Sequence, residues 1–142
     1  VTPASLTEIV EGKAGVLAAL APLQVLLWIG LLELNDISIA NVASILAYSG
    51  SMAVLSVTFA AALALSVPVR QRAQLSYSLG TLAVFALAGL LPEHPATTVA
   101  RLAIDSATIA TYAHLAGVVV ASIGFAAVFR AWIDSFDAES LG

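Results

Sequence analysis

The sequence contains no cysteine and few charged residues. The absence of cysteine from its 142 residues excludes disulfides, thiolate metal sites and thiol nucleophiles within them. Charged residues make up 10% of the chain, whereas a soluble domain of this size carries roughly 25%. This deficit predicts that lipid, rather than water, surrounds most of the surface.

Basic residues are particularly scarce. Five lysines and arginines stand against nine aspartates and glutamates, which gives a formal net charge of -4 and a pI of about 4.8. The chain therefore lacks the basic stripe that a phosphate backbone requires, and we do not expect nucleic acid among its partners. The acidic excess is also halophile-like, since it would suit a high-salt habitat.

Apolar residues dominate what is present. They make up 61% of the chain, and the mean hydropathy is +1.02. A transmembrane helix needs about 20 mostly apolar residues, so the length allows about four spans with short connections. The sequence predicts an all-α, polytopic membrane protein whose single membrane domain is a four-transmembrane-helix bundle. The predicted spans are about 15–33, 39–66, 73–91 and 105–131, with an interfacial N-terminal segment at 1–14 and a polar tail at 134–142.

Two helix starts are visible in the sequence. The segment Ser5-Leu6-Thr7-Glu8 has the capping-box pattern and predicts a short interfacial helix before the first span. Thr97 or Thr98 is suited to cap a long final helix that reaches Arg130 and Trp132. We therefore expect the last span to be one uninterrupted helix.

The distribution of basic residues predicts the orientation. In a four-span topology Lys13, Arg70, Arg72 and Arg130 fall on one side, and Arg101 alone falls on the other. The positive-inside rule then places both termini in the cytoplasm. The expected localisation is a multi-pass protein of the cell membrane, or of a virion or vesicle membrane derived from it.

Few ionisable groups remain for chemistry inside the membrane. Arg101 and Asp105 are four residues apart, a spacing that favours an ion pair at the outer face. His114 lies nine positions beyond Asp105, roughly 13 Å along a continuous helix and therefore near the bilayer midplane. Similar depth reasoning predicts a midplane polar layer, which consists of Gln24, Ser49, Ser51, Thr81 and His114.

This polar layer has two interpretations. The favoured one is hydrogen bonding between helices, which is worth about 0.6 kcal/mol per contact on average. The other is a proton- or substrate-handling site in which His114 titrates.

Small residues recur at three- and four-residue spacing along the predicted final helix. Such a face lets helix backbones approach closely in lipid, either within the protomer or between copies. The predicted packing face consists of Ala103, Ala107, Ala110, His114, Gly117, Ala121 and Gly124.

Motifs for catalysis and for metal binding are missing. The sequence has no HExxH, no phosphate-binding glycine loop and no Gly-x-Ser-x-Gly elbow, so we expect neither an enzyme nor a bound cofactor or metal. The expected function is that of a structural or accessory component of a membrane assembly, either a complex subunit or an envelope or vesicle protein. Its expected partners are the lipid bilayer and either further copies of itself or other membrane subunits.

Two alternatives stay open. One is a small homo-oligomeric channel or transporter that uses the midplane site around His114. The other is a haem or quinone anchor subunit, in which His94 and His114 of different protomers are the available ligands.

Overall fold

The computed structural model describes residues 5–90 and 93–140, with side chains at 5, 7–90 and 93–135, and the regular structure of these residues is entirely α-helical. The five helices are α1 (Leu6–Glu33), α2 (Val42–Ser66), α3 (Arg70–Ala88), α4 (Pro95–Ala103) and α5 (Ile109–Ser140).

Three of these helices are long and apolar enough to cross a membrane: Thr7–Glu33 in α1, Val42–Ser66 in α2 and Ile109–Ser135 in α5. Helix α3 is not among them, because two arginines and two glutamines occupy its first two turns. The expectation of a helical chain with long apolar helices is therefore confirmed, and the described residues contain three candidate spans rather than four.

Helix α1 begins where the sequence predicts. The Ser5 hydroxyl accepts a hydrogen bond from the Glu8 amide at 3.1 Å, and the Glu8 carboxylate accepts one from the Ser5 amide at 2.9 Å. The helix that begins there is not a separate short one, because it continues through Pro22 to Glu33. Of the predicted interfacial segment, residues 6–14 are thus the first turns of α1, and residues 1–4 lie outside the described part of the chain.

The prediction of one uninterrupted final helix is wrong, because this part of the chain forms two helices, α4 and α5. Helix α4 starts one turn earlier than expected, with His94 as its N-cap rather than Thr97 or Thr98. The His94 ring accepts from the Ala96 amide at 3.2 Å, and the Thr97 hydroxyl accepts from the His94 amide at 3.0 Å. Helix α4 then ends after nine residues.

The break between α4 and α5 has a local cause. Asp105 has a left-handed backbone (φ 55°), which no α-helix accommodates. Three residues later Thr108 and Thr111 cap each other: the Thr108 amide donates to the Thr111 hydroxyl at 3.1 Å, and the Thr111 amide to the Thr108 hydroxyl at 3.3 Å. This reciprocal pair starts α5 as a new helix.

Helix contacts define two ends of the molecule. At one end the Thr7 hydroxyl donates to Asp134 at 2.9 Å, so the start of α1 lies beside the last turns of α5. At the other end the Ala40 amide donates to the Ala103 carbonyl at 2.9 Å, so the start of α2 lies beside the end of α4. We call these the basic end, which holds Lys13, Arg70, Arg72 and Arg130, and the α4 end.

Helices α2 and α3 approach each other closely at Gly80. A Cβ atom added there would lie 3.1 Å from Cζ of Phe59 on α2, tighter than ordinary van der Waals contact. The Phe59 ring also packs against Tyr77, with ring centroids 6.0 Å apart. Glycine at position 80 therefore lets α3 lie against α2.

The protomer buries little apolar surface. Its main core cluster, Ile29, Ile45 and Leu102, lies at the α4 end. Only 6% of the residues in the apolar windows of α1 and α5 are buried, and 17% in that of α2. Apolar surface on this scale is rare on monomeric soluble proteins and marks contact with lipid or with other protein.

Candidate functional site

A polar cluster lies at the α4 end, where α2, the turn before α4, α4 and α5 meet. Its members are Tyr48, Glu93, Thr98, Arg101, Thr111 and His114. Tyr48 comes from α2, Thr98 and Arg101 from α4, and the last two from the first turns of α5. The break between α4 and α5 makes the cluster possible, because it turns α4 back against the start of α5.

Glu93 is the buried carboxylate of this cluster, with 5% of its surface exposed. Its Oε1 forms an ion pair with the Arg101 guanidinium and accepts a hydrogen bond from the Thr111 hydroxyl at 3.4 Å. Its Oε2 is buried and has no hydrogen-bond partner among the described residues. A buried carboxylate is costly without a counter-charge, so Arg101 is what stabilises Glu93 in this position.

The predicted ion pair between Arg101 and Asp105 is wrong. Arg101 pairs with Glu93, and the Asp105 carboxylate instead accepts a hydrogen bond from Asn41 Nδ2 at 3.0 Å. The spacing of four residues brings two side chains together only on a continuous helix. Helix α4 ends at Ala103, so Asp105 lies beyond it and faces the start of α2.

His114 connects three helices. Its Nδ1 lies 2.7 Å from the hydroxyl of Thr98 on α4, and its ring meets that of Tyr48 on α2 edge-on, with centroids 5.7 Å apart. The Thr98 side chain is fully buried, and this bond satisfies its hydroxyl; which of the two atoms donates depends on the tautomer of the imidazole. The Tyr48 hydroxyl is buried without a hydrogen-bond partner among the described residues.

His114 does not lie on the continuous final helix from which its depth was predicted, so its depth in a membrane stays a prediction. It lies five residues from the first residue of α5, about 7.5 Å along the helix, rather than near the middle. The predicted depth assumed one continuous helix, and the break after α4 removes that assumption. Nearer the middle of α5, the buried polar residue is Ser122, which donates to the Val119 carbonyl of its own helix at 2.8 Å.

The members of the predicted polar layer are only partly brought together. Thr81 and His114 line one groove of about 390 Å³ between α2, α3 and α5. Gln24 is exposed on α1. The Ser49 hydroxyl donates to the Leu46 carbonyl of its own helix at 3.0 Å, and Ser51 is half-buried on α2. Both interpretations of the polar layer, hydrogen bonding between helices and a site that handles protons or substrate, stay predictions.

The seven residues of the predicted packing face do not share one helix face. Ala103 ends α4 and Ala107 lies in the break, where both pack on the core at the α4 end. His114 is half-buried in the polar cluster. The remaining four, Ala110, Gly117, Ala121 and Gly124, are exposed on α5. Their close packing against another helix is therefore not made within the protomer, and packing between copies stays a prediction.

The sequence gives little signal for Tyr48, Glu93, Thr98 and Thr111. Glu93 lies between two prolines, which correctly predicts a turn and thereby suggests exposure to solvent. The signal that was available is the run from Asp105 to Thr108, since a left-handed Asp and a capping Thr are common where one helix ends and another begins.

The described residues include no group of three or more His, Cys, Asp or Glu side chains that could hold a metal ion. His94 uses Nδ1 to cap α4, and its ring packs edge-on against Phe85 with centroids 5.9 Å apart. A haem or quinone bound between protomers stays a prediction that absorbance spectroscopy tests directly.

In the cluster an ion pair joins α4 to the turn before it, a hydroxyl–imidazole hydrogen bond joins α4 to α5, and an aromatic contact joins α5 to α2. It also holds a donor, the Tyr48 hydroxyl, and an acceptor, Glu93 Oε2, that no described residue satisfies. Comparison of the chain with protein-family models, with curated proteins and with solved structures finds no match.

Proposed function

We propose that the chain is a multi-pass membrane protein in which α3 also lies within the bilayer, giving four spans. The support comes from the chain path: α2 finishes at the basic end, and α5 starts at the α4 end. Helix α3 makes this return along α2, and its 19 residues extend about 28 Å, close to the bilayer core of about 30 Å.

The proposed orientation places the basic end in the cytoplasm. Three of the four helices other than α4 contribute basic residues to this end, and the positive-inside rule favours that side for them. Because the chain has no cysteine, single-cysteine variants report topology without background. Ser106→Cys lies at the α4 end and Ser135→Cys at the basic end, and both serines are exposed. In intact cells a membrane-impermeant maleimide should label only Ser106→Cys; labelling of Ser135→Cys alone would reverse the orientation, and labelling of both would contradict four spans.

Within the membrane, we propose a non-enzymatic role as a structural or accessory component of an assembly. The observation that carries this proposal is the exposed small-residue face of α5, which consists of Ala110, Gly117, Ala121 and Gly124. A Cβ atom added to Gly117 or Gly124 would meet nothing within 4 Å, so the protomer leaves this face open to another helix. In lipid, helices associate by close backbone approach of this kind.

Two alanine substitutions test this role. Ala121→Leu places a large side chain on the small-residue face, and Ala116→Leu makes the same change at an exposed alanine of α5 outside that face. In mild detergent the wild type and Ala116→Leu should form the same oligomer or complex, and Ala121→Leu should weaken it. The proposal fails if the wild type is monomeric and free of partners, both in detergent and in bilayer particles.

A second candidate function is a small channel or transporter with its site around His114. It is favoured by the buried Tyr48 hydroxyl and Glu93 Oε2, since buried polar atoms without partners often mark functional sites. His114→Gln keeps a hydrogen-bonding side chain and removes the imidazole. In proteoliposomes, a pH-dependent flux should lose its pH dependence in this variant; an absence of flux in the wild type removes this candidate.

A further inference from the structure

An open cleft lies between α1, the C-terminal half of α2 and the N-terminal half of α3, at the basic end. It has two lobes, of about 680 Å³ and about 450 Å³. Ala60, Ala64 and Tyr77 line both lobes, so the two lobes adjoin each other. The small alanines of α2 form the floor of the cleft, and Leu17 of α1 and Leu65 of α2 line the smaller lobe.

Each lobe contains a basic side chain without a counter-ion among the described residues. Lys13 lines the smaller lobe and Arg70 the larger one. The ion pairs among the described residues are those of Arg101 and Arg130, and the acidic neighbour Glu11 is engaged by Arg130 at 3.2 Å. Two cations thus border an apolar cleft in a chain whose net charge is -4. This local charge is complementary to an anion.

The depth of the cleft matches one leaflet of a bilayer. On α2 its lining runs from Ser56 to Leu65, which is about 14 Å along the helix. Half of a hydrocarbon core of about 30 Å is about 15 Å. A free phosphate ion would use only the charged rim, whereas an acyl chain would also cover the apolar floor.

We propose that this cleft binds one anionic glycerophospholipid. Lys13 and Arg70 hold its phosphate at the membrane surface, and an acyl chain lies along Ala60 and Ala64. Basic pockets between transmembrane helices on the cytoplasmic side bind anionic headgroups in this way. The inference rests on the membrane placement proposed above, and it is independent of the assembly role.

Native mass spectrometry of the full chain in a neutral detergent tests the proposal with two probes that have identical acyl chains, phosphatidylglycerol and phosphatidylcholine. The wild type should retain one phosphatidylglycerol in preference to phosphatidylcholine. Removing both cations in Lys13→Gln/Arg70→Gln should weaken phosphatidylglycerol binding by about 30-fold. The control Arg72→Gln/Arg130→Gln removes the same charge from the same end and should leave binding within about threefold.

A second variant tests the apolar part of the cleft without changing charge. Ala60→Leu fills the floor shared by both lobes and should weaken binding of both lipids. Glycerol phosphate, which has the anion without the chains, should not displace the lipid at equal concentration.

The proposal is overturned if the two lipids bind equally, if both double variants lose phosphatidylglycerol equally, or if glycerol phosphate displaces it. These measurements are made in detergent. Their failure is therefore separable from a failure of the membrane topology, which the maleimide labelling reports independently.

Discussion

Replacement of Arg101 should destabilise the protein far more than replacement of Arg130 by the same residue. Both arginines pair with a glutamate, but the partners differ: Glu93 is 5% exposed, whereas Glu11 is 44% exposed. Arg101→Met leaves a buried carboxylate with only the 3.4 Å hydrogen bond from Thr111. Removing one partner of a buried pair costs about 3–5 kcal/mol. Because the Arg101 side chain is 42% exposed and partly screened by water, we expect Arg101→Met to lower the free energy of unfolding by about 3 kcal/mol, the lower end of this range.

Three further variants give the stability changes with which the loss in Arg101→Met is compared. Arg130→Met removes an exposed pair and should cost less than about 1 kcal/mol. Glu93→Gln leaves the Arg101 head group within reach of water and should cost about 1 kcal/mol. The double variant Arg101→Met/Glu93→Gln should recover most of the loss, because no buried charge remains.

Unfolding by sodium dodecyl sulfate in mixed micelles, followed by helical circular dichroism, measures these differences. Equal losses for the two arginine variants would refute the conclusion that Glu93 is a buried charge held by Arg101. A double variant less stable than Arg101→Met would also refute it.

Three further perturbations follow from single contacts. Thr98→Val and His114→Phe should each destabilise by about 0.6 kcal/mol, and their double-mutant cycle in the same assay should show coupling of that order. Gly80→Val should reduce stability by about 1–3 kcal/mol, because the new side chain meets Phe59; a double-cysteine distance measurement between α2 and α3 should then increase. Asn41 has a left-handed backbone (φ 50°), and its Nδ2 donates to the Leu102 carbonyl in α4 and to the Asp105 carboxylate in the break. Asn41→Ala should therefore cost about 1–2 kcal/mol and accelerate amide exchange at the start of α2, and unchanged exchange would contradict this role.

The sequence was most informative where composition alone decides the structure. Long apolar segments predict long helices, since lipid requires every backbone group to be bonded within its own segment. The capping box at Ser5 and Glu8 was equally predictable, because its two residues are only three positions apart in the sequence. The halophile-like composition stays a prediction.

The polar cluster was not predictable for a different reason. Its contacts join residues 8 to 66 positions apart, such as Arg101 with Glu93 and Tyr48 with His114, and no local pattern encodes such distances. Positions after Asp105 were counted along one continuous final helix, and the left-handed backbone of this residue interrupts that helix. One unrecognised helix end was enough to move His114 from the middle of the predicted helix to the first turns of α5.

The hydrogen bond between Thr7 and Asp134 has a practical consequence for protein engineering. It places the start of the first helix and the last turns of the fifth side by side, so a short peptide can join them within one copy. A circular permutant opened at the exposed turn around Asp36 is accessible by the same route.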